Sequence, residues 1–189
     1  MTAYLEGFIY ITTSDLEKSR RNLEMLIGIM SDTHDNLPMI DKAIARLNEE
    51  KVDLVLHAGD YVAPFVIPRF RNLKAKMIGV FGNNDGDHEL LKKRFIENKN
   101  LEIHGSFALV TIRSLRIALL HGSEEELLNA LIDTEGFDVV VHGHRHGPEI
   151  HRKGKTLVIG CGEVCGYLTG KSSIVLFDTD KLEAKVLEL

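Results

Sequence analysis

From Met25 onward the chain advances in short apolar runs, each closed abruptly by polar residues. Met25-Leu26-Ile27-Gly28-Ile29-Met30 has the continuity of a buried strand and stops at Ser31-Asp32-Thr33-His34-Asp35. Pro38 falls where a first helical turn begins, and Ile40, Ala43, Ile44 and Leu47 follow at helical spacing. Residues 52–56 predict a second strand ending at His57-Ala58-Gly59-Asp60, and 64–70 a short helix. Residues 75–81 predict a third strand, ending at Gly82-Asn83-Asn84-Asp85. Residues 87–98 read as a helix with Leu90, Leu91 and Phe95 facing inward.

The second half is richer in strands. Residues 107–112 and 116–120 suggest a hairpin around Ser114, with the second strand running into His121-Gly122. Ser123 is placed to cap a helix reaching about Ile132, and Glu124, Glu125 and Glu126 suit the positive end of its dipole. Residues 137–141 form another buried strand, ending at His142-Gly143-His144-Arg145-His146. Segments 149–152, 155–159, 173–177 and 182–187 then read as successive strands, with turns at Gly154, Gly170 and Asp178.

The first 24 residues stand apart. Thr12-Thr13-Ser14-Asp15 offers a cap for a short helix through Glu24, but the strong pattern begins only at Met25. The expectation is an N-terminal extension over 1–24 and one domain over 25–189. A chain of 189 residues has room for one substantial core and little for two. No apolar run approaches the roughly 20 residues that span a bilayer. Phe8-Ile9-Tyr10-Ile11 is too short for a signal-peptide core and follows Glu6 rather than a basic stretch. The chain is therefore read as cytoplasmic and not membrane-bound. Cys161 and Cys165 are too few for a disulfide scaffold and fit small buried residues in a reducing compartment.

Five of the apolar strands end in Asp, His or Asn beside a small residue. Ligands of open α/β sheets gather beyond strand ends of this kind, so residues distant in sequence can meet there. The candidates are Asp32, His34, Asp60, Asn83, His121, His144 and His146. Singly, each has a plain alternative: Asp and His cap helices, Asn-Asn-Asp-Gly makes a tight turn, and a lone His is commonly structural. Together they form a mixed oxygen and nitrogen set suited to borderline divalent ions. Seven donors are too many for one tetrahedral zinc and suit two ions that share a carboxylate.

The sequence resembles the calcineurin-like metallophosphoesterases. Asp32-Thr33-His34, Gly59-Asp60, Gly82-Asn83-Asn84-Asp85, His121-Gly122 and Gly143-His144-Arg145-His146 carry the likeness, which runs from about Met25 to the C-terminus. The small single-domain prokaryotic phosphodiesterases are most similar, also through residues 162–170. The resemblance implies an α/β fold (α+β mixed): a four-layer sandwich of two mixed β-sheets flanked by helices. It implies a phosphodiesterase with Asp32, His34 and His146 on a first divalent ion, Asn83, His121 and His144 on a second, and Asp60 bridging. A hydroxide between the ions would attack phosphorus. Manganese is the expected metal, with nickel, cobalt, iron and zinc as alternatives.

One departure matters. Many members carry His directly after the metal-binding Asn, and this chain has Asn84, which cannot act as an ordinary general acid. Asp85 remains beside it, so Asn84 and Asp85 are the catalytic candidates outside the metal set. The expected substrate is a small phosphodiester with a good leaving group. A net charge of -5 without a basic stripe argues against long nucleic acid. Ser123 and Arg145 are equally placed to approach substrate or to serve as cap and surface residue. His57 and His142 are read as packing or support. Loss of the leaving-group His keeps open a rival reading, a catalytically weak metal-binding scaffold for protein interaction. An exposed edge strand offers a route to a homodimer.

Overall fold

A computed structural model describes residues 25–189, together with the backbone of 8–11. The helix expected between Thr12 and Glu24 lies outside the described residues. Two six-stranded sheets carry the fold. In the first, β1 (Phe8–Ile11), β6 (Phe107–Ile112), β7 (Leu115–Leu120), β8 (Val139–His142), β10 (Thr156–Cys161) and β9 (Pro148–Lys153) lie side by side in that order. The order in the second is β12 (Glu183–Glu188), β11 (Ser173–Asp178), β2 (Leu26–Met30), β3 (Leu54–His57), β4 (Lys76–Val80) and β5 (Leu101–His104). Both sheets are mixed. β2 to β5 run parallel and β11 opposes β2. In the first sheet, β7, β8 and β10 are parallel, while β6 is antiparallel to β7 and β9 to β10.

Strand pleating sends alternate side chains to opposite faces, so the apolar runs fill two cores at once. Between the sheets, Ile27, Ile29, Leu54, Leu56 and Val80 meet Val110, Ile117, Leu119, Val139, Val141 and Ile159. On the far face of the second sheet, Met30, Val55 and Met77 pack under α1 (Leu37–Glu50), the 3-10 segment Pro64–Asn72 and α2 (His88–Ile96). On the far face of the first, Ala118, Leu120, Val140 and Val158 pack under Leu128 and Ile132 of α3 (Glu125–Asp133). The result is the four-layer sandwich that the resemblance implied.

The local differences have physical causes. β5 was not expected from the sequence, because only Leu101 of its four residues is fully buried and its apolar signal is weak. Residues 64–72 wind as 3-10 rather than α, with Pro68 inside the segment unable to donate to an α-helical ladder. Leu90 is half-buried, and the inward face of α2 is Leu91 and Phe95. α3 is capped at Glu124 without a side-chain bond, and the Ser123 hydroxyl donates to the Glu124 carboxylate instead. Phe8–Ile11 extends the first sheet by pairing parallel with β6.

Candidate metal centre

The C-terminal ends of β2, β3, β4, β7 and β8 lead into one cleft. The loops beyond them are tied by their backbones. The Asp32 N–H donates to the Gly59 carbonyl (3.0 Å), and the Thr33 and His34 N–H groups donate to the Asp60 carbonyl (3.0 and 3.2 Å). Within the first sheet, the Gly143 N–H after β8 donates to the His121 carbonyl after β7 at 2.9 Å. Asp32, His34, Asp60, His144 and His146 all have φ between 38° and 63°. A non-glycine residue in this left-handed region carries a cost of order 1–3 kcal/mol. Five such residues converging on one cleft indicate that side-chain direction is held at the expense of backbone comfort. At Gly143 a Cβ would overlap the Ser31 hydroxyl and stand 2.7 Å from an Asp32 carboxylate oxygen, so β8 can approach β2 only with glycine there.

Six of the seven expected donors meet. Asp32 and Asp60 are fully buried. His34 Nε2 lies 3.6 Å from Asp32 Oδ1 and 3.4 Å from Asp60 Oδ2. His121 Nε2 lies 3.3 Å from Asp60 Oδ2, and His146 Nε2 lies 3.4 Å from Asp32 Oδ1. His144 joins through its ring, 5.1 Å from that of His121, and through its N–H, which donates to Asp32 Oδ2. His34 and His146 stack at 5.3 Å. The seventh, Asn83, is exposed on the turn after β4, and among the described residues no hydrogen bond ties its side chain to the others.

Asn84 is the residue of that turn which reaches inward. Its N–H donates to Asp60 Oδ1 (2.9 Å) and its side-chain amide to Asp60 Oδ2 (2.8 Å). Asp85 accepts from the backbone N–H groups of Asp60, Tyr61, Val62 and Gly82, at 2.6–3.2 Å. Burial pushes its carboxyl up, with the amide bonds opposing. Asp85 thus clamps the β4 turn to the β3 loop. His57 is buried against Tyr61, with ring centroids 3.9 Å apart, and its Nδ1 accepts from the Gly59 N–H. His142 is buried with Nε2 3.0 Å from Glu149 Oε1. Arg145 bonds Glu149 and Glu125, at 3.0 and 3.2 Å. Both cysteines are free and buried.

Sequence reasoning overlooked Glu163. Its carboxylate is fully buried and accepts from His146 Nδ1 at 2.8 Å, the Cys165 thiol, the Leu168 and Thr169 N–H groups and the Thr169 hydroxyl. Burial works to raise its pKa, but the bonds from Cys165, Thr169 and His146 prevail and hold it at about 2. The available signal was a lone acid in the small-residue segment Gly162–Gly170.

The arrangement fits divalent cations. His121 Nδ1 is 2.8 Å from the Ala58 carbonyl, which can only accept, so Nδ1 carries the proton and the Nε2 lone pair faces Asp60. Glu163 fixes His146 in the same tautomer, turning its Nε2 toward Asp32. Asp32 Oδ1, His34 Nε2 and His121 Nε2 are buried without a hydrogen-bond partner. Two donors each about 2.1 Å from a shared ion stand roughly 3.0–3.4 Å apart, close to the separations here. The field favours positive charge too. Burial opposes charging His121, but Asp60 and Asp32 raise its pKa. Asp32 and then Asp60 raise that of His34 against burial. Asp60, despite burial, is held well below the carboxylate range by His121 and Asn84. One donor atom each from Asp32, Asp60 and His121 lie within 4.8 Å of one another, as do those of His34, His146 and Cys165.

Over 165 residues the chain is 43% identical to a phosphodiesterase of Methanocaldococcus jannaschii, covering 87% of this chain and 99% of that one. It is 31% identical over 172 residues to a probable metallophosphoesterase of Methanothermobacter thermautotrophicus, covering 86% and 92%. The solved structure of an archaeal phosphodiesterase superposes with a TM-score of 0.83 at 43% identity, over 87% of this chain and all of that one. Residues 25–182 match the calcineurin-like phosphoesterase superfamily domain, and the chain belongs to that superfamily.

Proposed function

We propose that this chain is a divalent-metal-dependent phosphodiesterase that cleaves small diesters with good leaving groups. The observation that carries the reading is the convergence of Asp32, His34, Asp60, His121, His144 and His146, with Nε2 of His34, His121 and His146 3.3–3.6 Å from carboxylate oxygens. The 43% identity with a phosphodiesterase supports the diester preference. Asp32, His34 and His146 would hold one ion, His121, His144 and Asn83 a second, and Asp60 both. Two such ions, manganese first and nickel, cobalt, iron or zinc as alternatives, supply polarisation of a phosphoryl oxygen and a water made acidic near neutral pH.

The chain's own residues do the rest. The strained β2 and β8 loops hold their donors in place. Asn84 steadies Asp60 with both of its N–H donors and has no proton to give a leaving group. Asp85 is occupied by backbone amides. The leaving-group proton therefore comes from solvent, which favours groups that depart as stable anions. The net charge of -5 favours small diesters over polynucleotides. The 43% identity with a phosphodiesterase, rather than the donor set alone, favours catalysis over a metal-binding interaction scaffold. Among the described residues no helix is long and apolar enough to cross a membrane, in keeping with a cytoplasmic enzyme. Residues 1–24 are proposed as an appendage to the domain 25–189, supported by a family match that begins at 25. A homodimer through a sheet edge is the assembly to test by light scattering.

The test is to strip the protein of metal, restore manganese, nickel, cobalt, magnesium or zinc singly, and assay an aryl phosphodiester, an aryl phosphomonoester and cyclic nucleotides. Metal-dependent cleavage of the diester is expected. No hydrolysis with any ion sinks the proposal.

A further inference from the structure

We infer that Glu163 is a positioning residue that sets the tautomer of His146 and thereby its strength as a metal donor, an inference that rests on the proposed metal role of His146. The two oxygens of this buried carboxylate face different sets of donors, with the Leu168 N–H shared between them at 3.1 Å from Oε1 and 3.3 Å from Oε2. Oε1 serves the turn after β10, accepting the Thr169 N–H at 2.6 Å, the Thr169 hydroxyl at 2.7 Å and the Leu168 N–H at 3.1 Å. Oε2 serves the cleft, accepting from His146 Nδ1 at 2.8 Å and the Cys165 thiol at 3.0 Å. The segment is itself tied to the metal loop. The Val164 and Cys165 N–H groups donate to the Ser31 and Asp32 carbonyls (3.0 Å each), and the Asn36 amide donates to the Cys165 carbonyl at 2.8 Å. Glu163 is thus a fixed acceptor behind a movable imidazole.

A neutral imidazole carries one proton, and the bond made by one ring nitrogen decides which nitrogen has it. With Nδ1–H donated to Glu163, Nε2 presents its lone pair toward Asp32 Oδ1, 3.4 Å away. Glu163→Gln inverts this. A glutamine has one acceptor oxygen and one NH2. Backbone N–H groups of Leu168 and Thr169 cannot change sign, whereas His146 can move its proton between nitrogens. The glutamine oxygen therefore takes the Oε1 side, and its NH2 faces His146 Nδ1. That bond requires a lone pair on Nδ1 and puts the proton on Nε2, pointing it at Asp32 where the ion would sit. Outer partners of this kind are worth about 10–100-fold in metal affinity.

The experiment reads tautomer and affinity rather than turnover. Long-range 1H–15N correlation spectra of the metal-free protein distinguish the two tautomers, and calorimetric titration with Mn(II) measures binding. His146 in the wild type is expected as the Nδ1–H form. In Glu163→Gln it should switch to Nε2–H, with one binding step weakened about 10–100-fold. Thr169→Ala removes one hydroxyl from the turn but leaves the carboxylate, and should keep the wild-type tautomer and affinity. An unchanged tautomer and affinity in Glu163→Gln overturns the inference. So does an equal loss of affinity in both variants, which would assign Glu163 to holding the turn alone. A wild-type protein that binds no ion would sink the proposed function, while the tautomer comparison would still decide the part of Glu163.

Discussion

Buried His57 contributes a loss of stability on mild acidification. The ring is fully buried, Nδ1 accepts from the Gly59 N–H, and burial lowers its pKa from 6.5 to about 3. In the unfolded chain His57 takes up a proton as pH drops below 6.5, and in the folded chain it does so only near 3. The unfolded state therefore binds more protons across that window, and stability is lost as pH falls through it. The loss is about 1.4 kcal/mol per pH unit, or about 2 kcal/mol between pH 7 and pH 5. That sum requires only that the folded pKa lie below 5. His142, also lowered by burial, adds in the same direction, whereas His34 and His121, raised by Asp32 and Asp60, oppose it, so the His57 contribution is read from the difference between the wild type and a His57 variant. The carboxylates pulled downward, Asp60 and Glu163, contribute stability that is lost progressively below about pH 5, at the edge of this interval. Urea unfolding of the chelator-treated protein at pH 7, 6 and 5 measures the slope. His57→Phe keeps a ring against Tyr61 but orphans the Gly59 N–H, so at pH 7 it should be less stable by about 1–3 kcal/mol. Its deficit should shrink by about 2 kcal/mol at pH 5. Parallel pH slopes for the two proteins would refute the buried, neutral assignment.

Gly143→Ala places a methyl on the Ser31 hydroxyl and against Asp32, so it should cost about 1–3 kcal/mol of stability and abolish tight Mn(II) binding in calorimetry. Asp85→Ala leaves four backbone amides without their acceptor, each worth about 1–3 kcal/mol if it stays buried, and urea unfolding should show a loss of several kcal/mol. Asn84→His restores a proton donor beside Asp60 and should raise hydrolysis of alkyl monophosphates relative to aryl diesters. An unchanged substrate ratio would remove Asn84 as the cause of the diester preference.

Much of this protein is legible along its sequence because burial writes a local signal. Strands β2, β3, β4 and β8 are continuous apolar runs, since both of their faces are covered, and α1 shows its inward face at Ile40, Ala43, Ile44 and Leu47. The strand-end acids and histidines are visible because few other uses put Asp, His and Asn repeatedly beside glycine. β5, by contrast, lies at a sheet edge with three half-buried residues and leaves almost no periodicity. The division of labour between Asn83 and Asn84 is also invisible in sequence. Adjacent residues on a tight turn point in different directions, and only the backbone decides that Asn84 reaches Asp60. Asp85 read as a reserve acid because sequence cannot show four amide N–H groups converging on it. Glu163 lies 17 residues from His146, and their 2.8 Å bond exists only because β10 returns beside β8. The sequence by itself determined which residues could bind metal and which strands would carry them. Tertiary structure decided which nitrogen of each histidine faces the carboxylates, because that depends on a hydrogen-bond partner brought from elsewhere in the chain.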